Sequence, residues 1–285
     1  MSVINVQSVS KTFKSVKALD DVSLTIEKGH IYGLLGGNGA GKTTLFNIIC
    51  DREIPSSGSI MLDGQPVKES SDLLRKMYFT GAENILPAGM RLRDAVDSLK
   101  YFYKNADKAY AEKLFASFGI DSGKRFSELS TGSYTLAGAV LALASGADFI
   151  FLDEPTLGVD ANNRETFYRL LLERFSDTES AFIIATHLID ECAGLLEHCF
   201  VLKSGKIIAD DDCEALRESA YLIEGNAGDV DEYAEGKEVL NRYSAGSLAS
   251  VCIKGEPEDI PETLSFSRPS LQKLIVSLTG GGSNA

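Results

Sequence analysis

The sequence predicts an α/β protein: a mostly parallel sheet covered on both faces by helices, an antiparallel β subdomain before it and a small α+β appendage after it. Three observations carry this. Phe149-Ile150-Phe151-Leu152 and Ala181-Phe182-Ile183-Ile184-Ala185 are apolar throughout and alternate with helical patterns, as parallel strands buried on both faces do. A third apolar run, Ile31–Leu35, is followed at once by Gly36-Gly37-Asn38-Gly39-Ala40-Gly41-Lys42-Thr43 and then by the helical Leu45–Ile49. From Asp210 onward the composition turns acidic, with 15 Asp/Glu against 6 Lys/Arg to the C-terminus.

Taken in order, Val3–Val6 and Val22–Ile26 alternate or nearly so and predict half-buried strands, and Glu27-Lys28-Gly29 turns the chain into Ile31–Leu35. Pro55-Ser56-Ser57-Gly58 precedes a short strand, Ser59–Leu62, and Asp63-Gly64 turns again. Leu92, Val96, Leu99 and Phe102 recur at helical steps. A second set, Ala111, Leu114, Phe115 and Phe118, stops at Gly119. Ala139–Ala144 and Arg164–Phe175 are helical, and Phe200–Leu202 with Lys206–Ala209 forms a hairpin across Ser204-Gly205. The boundary falls at Asp210-Asp211-Asp212, dividing residues 1–211, with a helical subdomain at about 85–145, from an accessory unit of residues 212–285. That unit holds strand-like Tyr221–Ile223 and Ser250–Ile253, a helix over Ser270–Leu278, and a flexible end at Gly280-Gly281-Gly282-Ser283.

With 285 residues, 44% hydrophobic and 24% charged, the composition is that of a soluble globular protein with a full core. The net charge of −13 argues against a nucleic-acid partner, whose affinity rests on clustered cations. The five cysteines, odd in number and without a C-x-x-C pair, read as reduced structural thiols. No apolar run is long enough to span a bilayer, so any membrane role comes through a partner.

The glycine-rich segment has the form G-x-x-x-x-G-K-T between strand and helix. Its glycines let successive backbone N–H groups converge on phosphate oxygens, and the helix N-terminus adds unpaired donors. Lys42 would reach the β/γ-phosphates and the Thr43 hydroxyl would ligate Mg²⁺. These features define a P-loop NTPase core. Asp153 and Glu154 end a buried strand at the sheet rim where this loop opens, so Asp153 is placed for the Mg²⁺ shell and Glu154 to polarise an attacking water. The neighbouring apolar strand ends in Thr186-His187, which makes His187 a candidate γ-phosphate contact.

Over about residues 2–211 these residues resemble the ATP-binding subunits of ABC transporters. The opening Val9–Phe13 and Ala18–Leu24 is similar to the family's, with Phe13 at the adenine-stacking position. Gly36 to Thr44 is similar to Walker A, and Leu129-Ser130-Thr131-Gly132-Ser133 to the signature motif. Phe149 to Glu154 resembles Walker B with the catalytic glutamate, Leu157-Gly158-Val159-Asp160 the D-loop, and His187 the switch histidine. The resemblance implies ATP and Mg²⁺ as cofactors and two cassettes closing head to tail. Each ATP would then lie between one Walker A and the other's Ser130 and Gly132, with Asp160 at the interface. It implies a second ATP-binding subunit and separate transmembrane permease subunits as partners, and a place in the cytoplasm on the inner face of the membrane.

Two motifs depart from the family pattern. Thr131 and Ser133 replace a glycine and a glutamine of the signature. Gly81 stands where the family carries the Q-loop glutamine, with Glu83 and Asn84 nearby as substitutes. Intact Glu154 and His187 imply ATP hydrolysis, slowed by these changes. The segment from Asp212 resembles the C-terminal extension of exporter subunits, implying an exporter and a role in dimer contact or regulation. The competing reading is a weak or regulatory soluble ATPase of the same family, not coupled to transport. Chromosome-maintenance relatives are excluded because Lys42 and Asp153 are only 111 residues apart, without sustained heptads. GTPases are excluded by the missing Asn-Lys-x-Asp motif.

Overall fold

The computed structural model describes residues 2–81 and 86–280. Glu83, Asn84 and Gly281-Gly282-Ser283 lie outside the described residues. The first half of the chain runs β1 (Val3–Phe13), β2 (Val16–Glu27), β3 (Ile31–Leu35), α1 (Lys42–Ile49), β4 (Ser57–Leu62), β5 (Gln65–Pro66), α2 (Ser71–Leu74), β6 (Met77–Thr80), α3 (Leu92–Phe102), α4 (Lys108–Ser117) and α5 (Thr131–Ser145). It continues β7 (Phe149–Asp153), α6 (Ala161–Thr178), β8 (Ala181–Ala185), α7 (Ile189–Cys192), β9 (His198–Lys203) and β10 (Lys206–Asp212). The remainder is α8 (Cys213–Glu218), β11 (Ala220–Asn226), α9 (Ala227–Ala234), β12 (Val239–Ala245), β13 (Leu248–Lys254), β14 (Ser265–Ser267) and α10 (Leu271–Thr279).

Six strands in the order β10-β9-β3-β8-β7-β6 form the central sheet, parallel from β9 to β6 with β10 antiparallel at one edge. The apolar strands β3, β7 and β8 are buried at every position because helices cover one face and the antiparallel sheet β2-β1-β4-β5 backs the other. Leu45 and Phe46 of α1 join the core on the β1–β2 side, while α3 to α6 pack on the opposite side. α5 is apolar nearly all round and is buried from Leu136 to Ser145, apart from Gly138. The two apolar sets read at helical spacing between Leu92 and Phe118 are the separate helices α3 and α4. Asp107 separates them by capping α4, accepting a bond from the Tyr110 N–H at 2.9 Å.

All these topological choices bring the carboxyl ends of β3, β7 and β8 to one rim. The register pairs Leu34 with Ala185 and Asp153 with Ala185, so the phosphate loop, Asp153-Glu154 and Thr186-His187 emerge side by side.

The appendage is a four-stranded antiparallel sheet, β12-β13-β11-β14. One face has its own cluster, Tyr221, Ile223, Val251 and Ile253 against Val230 and Tyr233 of α9. The other face is continuous with the main core: Leu222, Cys252, Leu271, Leu274 and Ile275 belong to the same cluster as Ile189, Cys192 and Leu196. The expectation of five reduced thiols is corrected here. Cys199 and Cys213 form a disulfide, with Cα atoms 5.6 Å apart, leaving Cys50, Cys192 and Cys252 free. The hairpin accounts for it: β10 returns along β9 with Asp211 opposite Cys199, which carries Cys213 back beside its partner.

Candidate functional site

Gly36 begins the phosphate loop with φ 152°, and a Cβ there would lie 2.2 Å from the Leu202 carbonyl oxygen. Only glycine lets β9 back the loop this closely. The β9–β10 turn adds a bond from the Gly205 N–H to the Ala40 carbonyl at 3.0 Å. Gly37, Asn38 and Gly39 form the exposed crest, Ala40 is buried beneath it, and Gly41 enters α1 at φ 111°. Lys42 is buried, and its ammonium donates to the Gly36 and Gly37 carbonyls at 2.8 and 3.0 Å. Burial pushes its pKa below the usual lysine value, with Glu154 and Asp153 opposing the shift. The ammonium is thus held by two backbone carbonyls.

The Thr43 hydroxyl donates to Asp153 Oδ2 at 2.6 Å, bringing together the two residues expected to hold a metal. Thr44 follows within the first turn of α1. The oxygens of Thr43 and Asp153 are hard donors of the kind Mg²⁺ selects. Among the described residues no group of three or more His, Cys, Asp or Glu forms a closed metal cage.

Glu154 adopts a left-handed backbone (φ 51°) that turns its side chain away from Asp153 and toward β8. There it accepts from the His187 backbone N–H at 3.1 Å, from Thr186 Oγ1 at 3.1 Å and from His187 Nδ1 at 2.9 Å. A carboxylate only accepts, so the contact places a proton on Nδ1. His187, expected at the γ-phosphate, thus sits on Glu154. Thr186, through its bond to Glu154, is a member of this cluster that sequence reasoning missed. A threonine ending an apolar strand reads as β-propensity, and only its complete burial signals a polar role.

The signature and D-loop residues form a second group. Ser130 caps α5, accepting from the Ser133 N–H at 3.2 Å. A Cβ on Gly132 would lie 2.4 Å from the Gly158 carbonyl oxygen, so glycine is required where α5 meets the D-loop. Thr135 Oγ1 reaches the Leu157 carbonyl at 3.0 Å, and the Thr131 methyl lies over Gly158. Asp160 caps α6 through the Asn163 N–H at 3.1 Å, and these bonds hold its carboxyl below the usual aspartate range. Phe13 is 43% exposed, with the Lys11 ammonium over its ring at 4.8 Å. Gly81 follows β6 beside Asp153: a Cβ there would come within 3.2 Å of the Asp153 Cβ. The glycine at this departure lets the backbone pass close between the Phe79 ring, 3.0 Å from that Cβ position, and the Asp153 stem.

A lysine-bearing phosphate cradle beside two strand-end carboxylates defines a P-loop ATPase. The ABC transporter family model matches residues 19–157. The ABC transporter ATP-binding protein YtrB of Bacillus subtilis (strain 168) is 31% identical over 288 residues, covering 98% of this chain and 99% of that protein. The ABC transporter ATP-binding protein NatA of the same organism is 33% identical over 216 residues, 72% of this chain and 86% of NatA. Among solved structures, an ATP-binding subunit of an ABC transporter shares the fold with a TM-score of 0.68 at 20% identity, covering 75% of this chain and 92% of its own. The cassette MJ0796, in a dimeric post-hydrolysis state bound to ADP and Pi, gives 0.64 at 23%, covering 73% and 98%. The chain belongs to the ABC transporter ATP-binding proteins.

Proposed function

We propose that this chain is the ATP-hydrolysing subunit of a transport complex. Two cassettes would close over ATP and drive separate transmembrane subunits. The observation that carries the reading is the constellation at one rim: Thr43 on Asp153, and Glu154 held by Thr186 and His187. In this reading the N–H groups of residues 36–43 cradle the triphosphate, and Lys42 leaves its carbonyl acceptors for the β/γ-phosphate oxygens. Phe13 offers the ring face opposite Lys11 to adenine. Thr43 and Asp153 would hold Mg²⁺, which when bound supplies charge neutralisation at the phosphates. Glu154 orients the attacking water and takes its proton, and His187 sets the position of that carboxylate. Ser130, Gly132 and Asp160 face the second subunit.

For the transmembrane partner, the structure offers an apolar cavity of about 260 Å³ lined by Tyr78, Phe79, Leu99, Phe102, Tyr103 and Tyr134. Tyr101 and Phe102 are exposed on the same helix. Among the described residues no helix is long and apolar enough to cross a membrane, so membrane attachment in this reading is peripheral and runs through that partner. The direction of transport belongs to the partner, since relatives of this chain include an arabinose import ATP-binding protein, AraG 1 of Burkholderia cenocepacia (strain HI2424), 29% identical over 93% of this chain.

Replacing Glu154 by Gln removes the base and keeps the shape. The expected result is a loss of turnover of about 10²-fold or more with ATP binding retained. Equal turnover in Glu154→Gln and wild type, alone or with the membrane partner, would overturn the reading in favour of a regulatory ATP binder.

A further inference from the structure

His187 is followed within two residues by α7, a single turn of helix with no side-chain cap of its own. The support for this turn comes from elsewhere. From the appendage, the half-buried Gln272 near the start of α10 directs Oε1 at the Asp190 N–H, 3.4 Å away, an acceptor for one of the turn's orphan donors. Ile189 and Cys192 of α7 share one apolar cluster with Leu271, Leu274 and Ile275 of α10. From the other side, Arg164 of α6 pairs with Glu191 at 2.6 Å. At the far end of α10, the Lys203 ammonium of β9 donates to the Leu278 carbonyl at 3.1 Å. Lys203 directly follows Leu202, whose carbonyl backs Gly36.

We propose that α10 is a strut that positions the His187 segment from the appendage, with Gln272 as its positioning residue. The appendage thereby sets the hydrolysis rate and is more than a cap. The inference rests on the reading of His187 given above. The physical case is one of constraint. A one-turn helix cannot hold itself in place, because nucleation alone is unfavourable. Its position, and with it the Nδ1–Glu154 contact, depends on what packs against it. α10 supplies both the apolar floor and the external acceptor, and it is itself pinned at its other end behind the phosphate loop.

The test uses the full chain. Gln272→Ala removes the acceptor at a partly exposed site without opening the core. Amide exchange at residues 189–192 is expected to quicken about fivefold, as for loss of one hydrogen bond. The kcat for ATP is expected to fall by a similar factor of about five, with KM within about twofold because the phosphate loop is untouched. Leu271→Ala, which thins the apolar floor, should act in the same direction. In a His187→Ala background, Gln272→Ala should cost nothing further in kcat. Wild-type exchange at 189–192 in Gln272→Ala overturns the strut, as does a kcat loss that persists in full when His187 is absent. Wild-type turnover in His187→Ala alone overturns the His187 reading instead, and the exchange measurement, which needs no turnover, keeps the two failures apart.

Discussion

At the scale of single residues, the site depends on how Glu154 is held. Three donors converge on its two oxygens, and two of them come from His187. Thr186 ties two segments together, because its hydroxyl donates to Glu154 Oε2 and accepts from the Leu188 N–H at 3.0 Å. Thr186→Val keeps the volume and removes both bonds. Turnover at saturating ATP is expected to fall about tenfold, and thermal unfolding to show a loss of about 1 kcal/mol for the half-buried Leu188 amide left without its acceptor. Wild-type turnover in this variant would show that the hydroxyl does not matter to Glu154. The placement of Asp153, Glu154 and His187 side by side at the rim could be read from the sequence because an ionisable residue ending an apolar strand is conspicuous. Thr186 could not, since threonine belongs in strands on propensity alone. The same limit hid the destination of His187, which depends on the left-handed turn at Glu154.

At the scale of elements, the most constrained junction is that between α5 and the D-loop. Gly132 has no unusual φ, so its requirement is purely one of approach, and the atom it faces is a backbone oxygen that cannot swing aside. Gly132→Ala should therefore displace the start of α5 or Gly158, costing about 1–3 kcal/mol in a denaturant titration. ATP-induced association should weaken with it if both segments face the second subunit. An unchanged midpoint would mean that the junction yields more easily than its geometry implies. The buried strands β3, β7 and β8 were legible because unbroken apolar runs have few other fates in an α/β pattern. β1 and β2 extend well past the predicted segments, since bulges between Val6 and Lys11 and positive φ at Ser8 and Asp21 disturb their alternation. α9 and β12 escaped notice for a related reason: both are short, and much of each is exposed.

At the scale of the whole molecule, the question is how firmly the appendage is joined to the ATPase body. The acidic composition past Asp210 marked where it begins, but not that one face of its sheet continues the main core. That continuity depends on which face of β11 and β13 turns inward, a tertiary choice that strand alternation alone leaves open. The Cys199–Cys213 disulfide adds a covalent tie between β9 and the first residue of α8, across a sequence separation of 14. Closing a loop of this length removes unfolded-state entropy worth about 3 kcal/mol. The remaining thiols are shielded: burial pushes Cys50 and Cys192 up to about 12 and raises Cys252 as well. Thiol labelling followed by intact mass measurement distinguishes the two groups. Without reductant, the native protein should label slowly, and the denatured protein should take up three labels, at Cys50, Cys192 and Cys252. Reduction before denaturation should raise the count to all five cysteines and lower the unfolding midpoint. Five labels without reductant would mean that the tie is open and that the shared apolar face alone holds the appendage. With the tie closed, α8 is anchored at its first residue to β9, so the start of the appendage is held to the body by a covalent bond as well as by the shared apolar face.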